Sequence, residues 1–82
     1  MERKKEPISI AAIVDARGLF CPLPVIQTEK KLRKLKTGQV VRVLADDPTF
    51  EEDIRGWCRR SGNQLLGMDR KKKAFLAYVK KK

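Results

Sequence analysis

Cys21, followed by Pro22, Leu23 and Pro24, is the residue of this sequence best suited to chemistry. It lies between an apolar stretch typical of a strand and a stretch with helical spacing. The prolines lack an N–H and have φ fixed near the helical value, so they suit a first helical turn. The free N–H groups and positive dipole end of a helix stabilise a thiolate, and thiols there can have a pKa well below the ordinary value of about 8.5. The spacing therefore predicts a nucleophilic thiol at Cys21.

The kind of reaction is limited by the absence of histidine from the chain. Cysteine hydrolases rely on a neighbouring base that also serves the leaving group, and histidine is the usual choice. Attack of a thiolate on another sulfur atom needs no such acid. The composition therefore favours sulfur exchange at Cys21 over hydrolysis.

Three residues of the preceding turn are candidates to support the thiol: Asp15, Arg17 and Gly18. Arg17 could hold a persulfide or a carboxylate of a partner, or it could lie in solvent. Asp15 could orient Arg17 or cap the loop, and we favour a structural role for it. Gly18 permits a left-handed backbone or a close approach beside the cysteine. For Cys21 itself the alternative is an inert cysteine in a rigid turn.

The second cysteine, Cys58, shares an apolar helical stripe with Ile54 and Trp57, which predicts a place in the core. A redox pair of Cys21 and Cys58 would require Cα atoms closer than about 7 Å, which an interior Cys58 does not favour. Two distant cysteines without histidine match neither a disulfide framework nor a zinc site. We predict no metal and no cofactor.

Hydrophobic periodicity predicts four strands and two helices. The strands are 8–15, 39–45, 64–69 and 74–79, and the helices are 24–36 and one that begins within 46–49 and ends at 61–63. Strands that alternate with helices imply right-handed crossovers. The order β-α-β-α-β-β therefore predicts an α/β two-layer sandwich, with a four-stranded mixed sheet and two helices on one face.

The ends of the predicted helices follow from local signals. Gly38 is expected to end the first helix and Gly62 the second. The second helix could begin with Asp47 as N-cap, or with a capping box formed by Thr49 and Glu52. The turn between the last two strands is predicted at 70–73.

The chain has a net charge of +10. Beyond the chain ends, the excess lies on the first helix (Lys30, Lys31, Arg33, Lys34 and Lys36) and in the turn 70–73. Such a field attracts anionic partners, so both surfaces are candidate docking faces for acidic proteins. A solvated lysine-rich surface that keeps a small protein in solution is an equal alternative. A nucleic-acid-binding module is the alternative, although no helix-turn-helix, RNP or zinc signature is present.

Eighty-two residues are enough for one domain, which we place at 8–80, with a charged flexible tail at 1–7 and a basic end at 81–82. No apolar stretch reaches the roughly 20 residues that span a bilayer. The charged N-terminal residues lack the apolar region of a secretory signal. We therefore expect a cytoplasmic protein.

The run from Asp15 to Pro24 resembles the signature of the TusA/SirA-like sulfur-carrier family, a C-P-x-P motif preceded by a turn with aspartate and glycine. The resemblance continues through 37–39, 45–48 and 56–58, and covers Ile10 to Val79. It implies the same sandwich, with Cys21 as the persulfide site and Pro22 and Pro24 shaping the helix start.

The resemblance also implies partners, since such a carrier acts with other proteins rather than as an independent catalyst. The implied donor is a cysteine desulfurase or a rhodanese-type protein. The implied acceptor is another sulfur-relay protein serving tRNA thiolation, molybdenum-cofactor work or sulfur oxidation.

Overall fold

The computed structural model describes residues 10–82 and contains six elements. They are β1 (Ile10–Asp15), α1 (Leu23–Arg33), β2 (Val40–Ala45), α2 (Phe50–Ser61), β3 (Gln64–Lys71) and β4 (Ala74–Lys80). The predicted order β-α-β-α-β-β is confirmed. The predicted tail 1–7 and the first two positions of the predicted strand 8–15 lie outside the described residues.

The four strands form one mixed sheet in the order β1-β2-β4-β3. β1 and β2 are parallel, whereas β4 is antiparallel to both β2 and β3. Ala45, the last residue of β2, consequently pairs with Phe75 near the start of β4. The ends of β1 and β2 and the turn between β3 and β4 therefore meet at one edge of the sheet, which we call the thiol edge because Cys21 follows β1.

The core lies between the sheet and the two helices, which pack against each other and against the strands. Its strand residues alternate with outward-facing ones, as expected for a sheet covered on one side. Its fully or nearly buried members include Val14, Val41, Val43, Ala77, Val79, Leu32, Phe50, Ile54 and Cys58. Trp57 packs against this cluster while half-buried. The predicted core positions of Cys58 and Trp57 are confirmed.

The first helix ends earlier than predicted, at Arg33 rather than at residue 36. Its last turn tightens, since the N–H groups of Lys34 and Leu35 bond carbonyls three residues back. Gly38, with φ +91°, belongs instead to a turn in which the Gln39 N–H donates to the Lys36 carbonyl at 3.0 Å. A turn of this kind favours glycine at its third position, so the glycine marked a turn after the helix rather than the helix end.

The hairpin is tighter than the predicted turn at 70–73. Lys71 pairs with Ala74, so β3 extends through Lys71 and only Lys72 and Lys73 form the turn. Lys72 has φ +46°. Arg70 and Lys71 therefore belong to the strand, and Lys72 and Lys73 form a two-residue turn rather than part of a longer loop.

Residues 81–82, the predicted basic end, hydrogen-bond with the domain. The Lys81 N–H donates to the Gln39 carbonyl at 2.9 Å, and the Lys82 N–H donates to Asn63 Oδ1 at 3.1 Å. Within residues 10–82, no helix has the length and apolar composition needed to cross a membrane.

Gly56 inside α2 and Gly62 directly after it give a test of this geometry, because the same substitution is expected to have opposite effects at the two positions. At Gly56, inside the helix, alanine gains helix propensity of about 0.5–1 kcal/mol, and its Cβ would meet only the flexible end of Arg60 at 3.2 Å. At Gly62, which ends the helix with φ +85°, alanine is strained by roughly 1–2 kcal/mol.

Urea unfolding of Gly56→Ala, Gly62→Ala and the wild type measures the change in the free energy of unfolding that each substitution causes. We expect the midpoint to rise for the first variant and to fall for the second. Equal shifts of the same sign would contradict the described course of α2.

Candidate functional site

Cys21 is exposed at the thiol edge, in the segment that connects β1 to α1. Its neighbours are exposed as well, although they are large and apolar: Phe20 is 69% and Leu23 is 44% accessible. The alternative of a buried, inert cysteine does not fit this exposure. A sulfur atom in this position can be reached by the cysteine of another protein.

The loop that carries Cys21 is held by the segment that follows β2. The Cys21 N–H donates to Asp47 Oδ2 at 2.7 Å, and the Gly18 N–H donates to Asp46 Oδ1 at 2.9 Å. The Ala16 N–H donates to the Leu44 carbonyl at 2.7 Å, which extends the parallel pairing by one step. Three hydrogen bonds to the end of β2 and the residues directly after it thus fix the backbone of the loop before the thiol.

Asp47 is a buried anchor, with 5% of its surface exposed. Besides Cys21 it accepts hydrogen bonds from the N–H and the hydroxyl of Thr49, both at 3.1 Å. The backbone N–H groups of Thr49 and Cys21 stabilise the carboxylate and hold the pKa of Asp47 below its ordinary value. The side chain therefore joins the cysteine loop to the start of α2.

This arrangement differs from both predicted caps of α2. The N-cap is Thr49, and its side chain makes no capping hydrogen bond. The Thr49 hydroxyl instead points to Asp47. The predicted N-cap at Asp47 and the predicted capping box of Thr49 with Glu52 are wrong, because Asp47 is occupied in tying together the cysteine loop and Thr49.

Asp15 and Arg17 form a bidentate pair, with Nε to Oδ1 at 2.9 Å and Nη2 to Oδ2 at 2.8 Å. Hydrogen bonding to Arg17 lowers the pKa of Asp15 to about 2. The Arg17 backbone N–H also donates to Asp15 Oδ1 at 3.2 Å. Asp15 therefore both orients Arg17 and caps the loop, the two alternatives offered for it. Gly18 adopts φ +85°, the left-handed conformation expected for it.

The two prolines shape the start of α1. Pro22 is the N-cap, joined to Cys21 by a cis peptide bond, and Pro24 lies in the first turn. The Leu23 N–H donates to the Phe20 carbonyl at 2.8 Å and the Ile26 N–H donates to the Pro22 carbonyl at 3.1 Å. Pro24 has no N–H. The remaining donor of the first turn is the Val25 N–H, for which residues 10–82 supply no backbone acceptor.

The Cys21 thiol does not have the lowered pKa that a helix start predicts. Its pKa is raised, chiefly by hydrogen bonding to the Asp53 carboxylate, then by desolvation of the sulfur and by the negative charges of Asp53 and Asp47. The expectation is wrong for two physical reasons. The prolines and the Phe20 carbonyl remove most of the free N–H groups, and α2 brings carboxylates close to the sulfur. In the free protein the neutral thiol is therefore favoured.

A cavity of about 190 Å³ adjoins the thiol between the start of α1 and one face of α2. Its α2 lining is Glu52, Asp53, Gly56 and Arg60. The Arg60 guanidinium lies over Gly56, where an added Cβ would be 3.2 Å from Nη1. Asp53 and Arg60 were not among the predicted site residues. Asp53 lies three residues before Gly56 and Arg60 four residues after it, and residues with this spacing share one face of a helix. That spacing was the sequence signal that could have grouped them.

Fold and site together define a small α/β domain with one exposed thiol on an anchored strand-to-helix loop. The family model described as Sulfurtransferase TusA matches residues 12–81. The chain therefore belongs to the TusA family of sulfur carriers.

Individual proteins agree with this assignment. The sulfur carrier protein TusA of Pseudomonas savastanoi is 34% identical over the whole chain and 98% of its own length. The TusA of Pseudomonas entomophila is 39% identical over 87% of the chain and 89% of its own length. A SirA-like protein of Desulfitobacterium hafniense has a similar crystal structure, with a TM-score of 0.74 and 27% identity over 84% of this chain and 95% of that one.

One relative is a longer protein. A protein of Aquifex aeolicus is 43% identical over 99% of this chain, which spans only 39% of its length. A segment similar to this domain therefore also occurs as part of a larger chain.

The raised pKa of Cys21 is tested by Asp53→Asn, which removes the charge that opposes the thiolate. We expect the midpoint of the pH dependence of iodoacetamide alkylation to fall, and the rate at pH 7 to rise severalfold, since the rate follows the thiolate fraction. Glu52→Gln is the matched control, with the same charge change one position away. A midpoint that does not move in Asp53→Asn, or that moves equally in both variants, would contradict the assignment.

Proposed function

We propose that this protein accepts a sulfane sulfur as a persulfide on Cys21 and passes it to an acceptor thiol. The observation that carries the proposal is the exposure of Cys21 on a loop whose backbone is fixed by Asp46 and Asp47. A sulfur carrier needs a thiol that a partner can reach and a backbone that keeps this thiol in place during the transfer. Membership of a sulfur-carrier family supports the same function.

The transfer balances without an oxidant or a reductant. The Cys21 thiolate attacks the outer sulfur of a donor persulfide, the donor S–S bond breaks, and a Cys21–S–SH group forms. The donor leaves as a thiolate and takes up the proton that Cys21 has lost. In the second step an acceptor thiolate attacks the outer sulfur, and Cys21 is regenerated.

The carboxylates near the sulfur act on both the resting thiol and the loaded persulfide. In the resting state the nearby Asp53 carboxylate raises the pKa of the thiol and favours its protonated form, which limits reaction with stray electrophiles. A persulfide is more acidic than its parent thiol, so the loaded group is an anion beside Asp53 and Asp47. Repulsion between these charges favours delivery of the sulfur to an acceptor over storage.

The remaining motif residues serve as supports. The pair Asp15–Arg17 and the left-handed Gly18 shape the turn before the cysteine. Pro22 and Pro24 set the start of α1. None of these residues takes part in bond making; they hold the sulfur at the surface.

The partners that fit this chemistry are a donor that forms a protein persulfide, either a cysteine desulfurase or a rhodanese-type protein, and a second sulfur-relay protein as acceptor. The relay serves tRNA thiolation, cofactor sulfuration or sulfur oxidation. We place it in the cytoplasm, where thiols remain reduced.

Mass spectrometry tests the site. After incubation with a cysteine desulfurase and L-cysteine, or with a persulfide-loaded rhodanese, we expect the wild type to gain the mass of one sulfur atom on the peptide that contains Cys21. Cys21→Ser should gain none. Cys58→Ala is the control and should load like the wild type, because Cys58 is only 5% exposed and burial raises its pKa to about 11. Loading of Cys21→Ser, or failure of both donors to load the wild type, would refute the proposal.

A further inference from the structure

The turn between β3 and β4 lies on the same edge of the sheet as Cys21. Asp46 and Asp47, which hold the cysteine loop, directly follow β2, and β2 ends opposite the start of β4. A cavity of about 340 Å³ has Asp46 and Pro48 on one side and Arg70, Lys72 and Lys73 on the other. The segment 46–48 thus contacts the cysteine loop and also borders the basic hairpin.

The three cations that line this cavity, Arg70, Lys72 and Lys73, are exposed, and none of them forms a salt bridge with another residue in 10–82. Arg70 is nevertheless fixed, because its Cζ lies 5.2 Å from the centre of the Phe75 ring. A cation stacked on an aromatic ring keeps its charge while losing conformational freedom. The lysines follow on a two-residue turn that gives them little backbone freedom. The hairpin therefore presents preorganised positive charge toward solvent.

The lysines of α1 are less suited to guide a partner to the thiol. They lie in and beyond the second half of a helix whose first residue is two positions after Cys21. With a rise of about 1.5 Å per residue, the end of α1 is roughly 15 Å from the cysteine loop. Of the two basic surfaces that the sequence offered, the hairpin is the one at the thiol edge.

We propose that the hairpin cations Arg70, Lys72 and Lys73 dock an acidic patch on the protein that exchanges sulfur with Cys21, an inference that rests on the proposed function. The patch lies to one side of that partner's own reacting cysteine. Its carboxylates enter the cavity beside Asp46, where they meet the three cations. The exposed apolar residues Phe20 and Leu23 form the centre of the contact around the sulfur.

The surroundings of the thiol favour a protein over a nucleic acid. Phe20 and Leu23 form an apolar centre bordered by charge, the usual anatomy of a protein interface. On the other side of the sulfur, Asp53 and Glu52 line the adjoining cavity. A phosphate backbone drawn to the hairpin would meet these carboxylates at Cys21, whereas a protein can place acidic and basic side chains in register with both regions.

The test compares Lys72→Glu/Lys73→Glu with Lys34→Glu/Lys36→Glu, which has the same charge change beyond the end of α1. The donor is the desulfurase or rhodanese that loads the wild type. We expect loading of the hairpin variant to slow about tenfold or more at low ionic strength, because charge steering acts on the association rate. The α1 variant should load at a rate close to that of the wild type. At about 1 M salt the Debye length is about 3 Å, so the difference should disappear.

Two further measurements separate this proposal from others. Cysteine persulfide, which needs no docking surface, should load all variants at equal rates; if it loads none of them, the proposed function fails instead. Lys73→Glu alone should give a smaller slowing, and it guards against misfolding of the double variant.

Equal slowing of the hairpin and α1 variants would overturn the inference. So would a hairpin variant that loses tRNA affinity in fluorescence anisotropy but keeps its loading rate, since the hairpin would then bind RNA.

Discussion

The site depends on a hydrogen bond of 2.7 Å between the carboxylate of Asp47 and the backbone N–H of Cys21, residues 26 positions apart in the sequence. The same carboxylate accepts two bonds from Thr49 at the start of α2. One nearly buried side chain thus fixes the loop before α1 relative to the start of α2. The parallel pairing of β1 and β2 makes this possible, because it brings both strand ends to one edge, where functional loops of α/β sheets usually gather.

The anchoring of the backbone explains how the sulfur can be exposed and still be well placed. Cys21, Phe20 and Leu23 face solvent, a position in which loops are normally mobile. The hydrogen bonds from the Gly18 and Cys21 N–H groups to Asp46 and Asp47 fix the backbone of this loop to the segment that follows β2. A partner therefore meets a thiol whose position is fixed before it binds, which lowers the entropic cost of reaching the transfer geometry.

Local patterns in the sequence were enough to predict much of the fold. Alternating apolar residues and helical stripes determined the order of elements, and the run from Asp15 to Pro24 placed the cysteine between strand and helix. The end of α1 was less predictable, because Gly38 does not end the helix but lies in a separate turn that follows it. The spacing around Gly56 puts Asp53 and Arg60 on one face of α2, but the sequence does not show that this face borders Cys21. The hydrogen bond from Cys21 to Asp47 likewise joins elements that are distant in sequence.

The pKa of Cys21 shows most clearly where local reasoning stops. A cysteine before a helix predicts a stabilised thiolate, and the residues that reverse this effect are the neighbouring prolines and a carboxylate of the other helix. The balance between helix dipole and nearby charge is set by tertiary structure. The same is true of the hairpin cations, which reach the thiol edge only because β4 is antiparallel to β2.

The hydrogen bond between Asp47 and Cys21 can be observed directly by NMR of the Cys21 amide during an acid titration. We expect slow hydrogen exchange and an amide chemical shift that follows the Asp47 carboxyl, with a pKa below the ordinary value of about 3.9. The shift change should be absent in Asp47→Asn. Rapid exchange of the Cys21 amide, or a titration at the ordinary value, would contradict the account of how this protein holds its thiol.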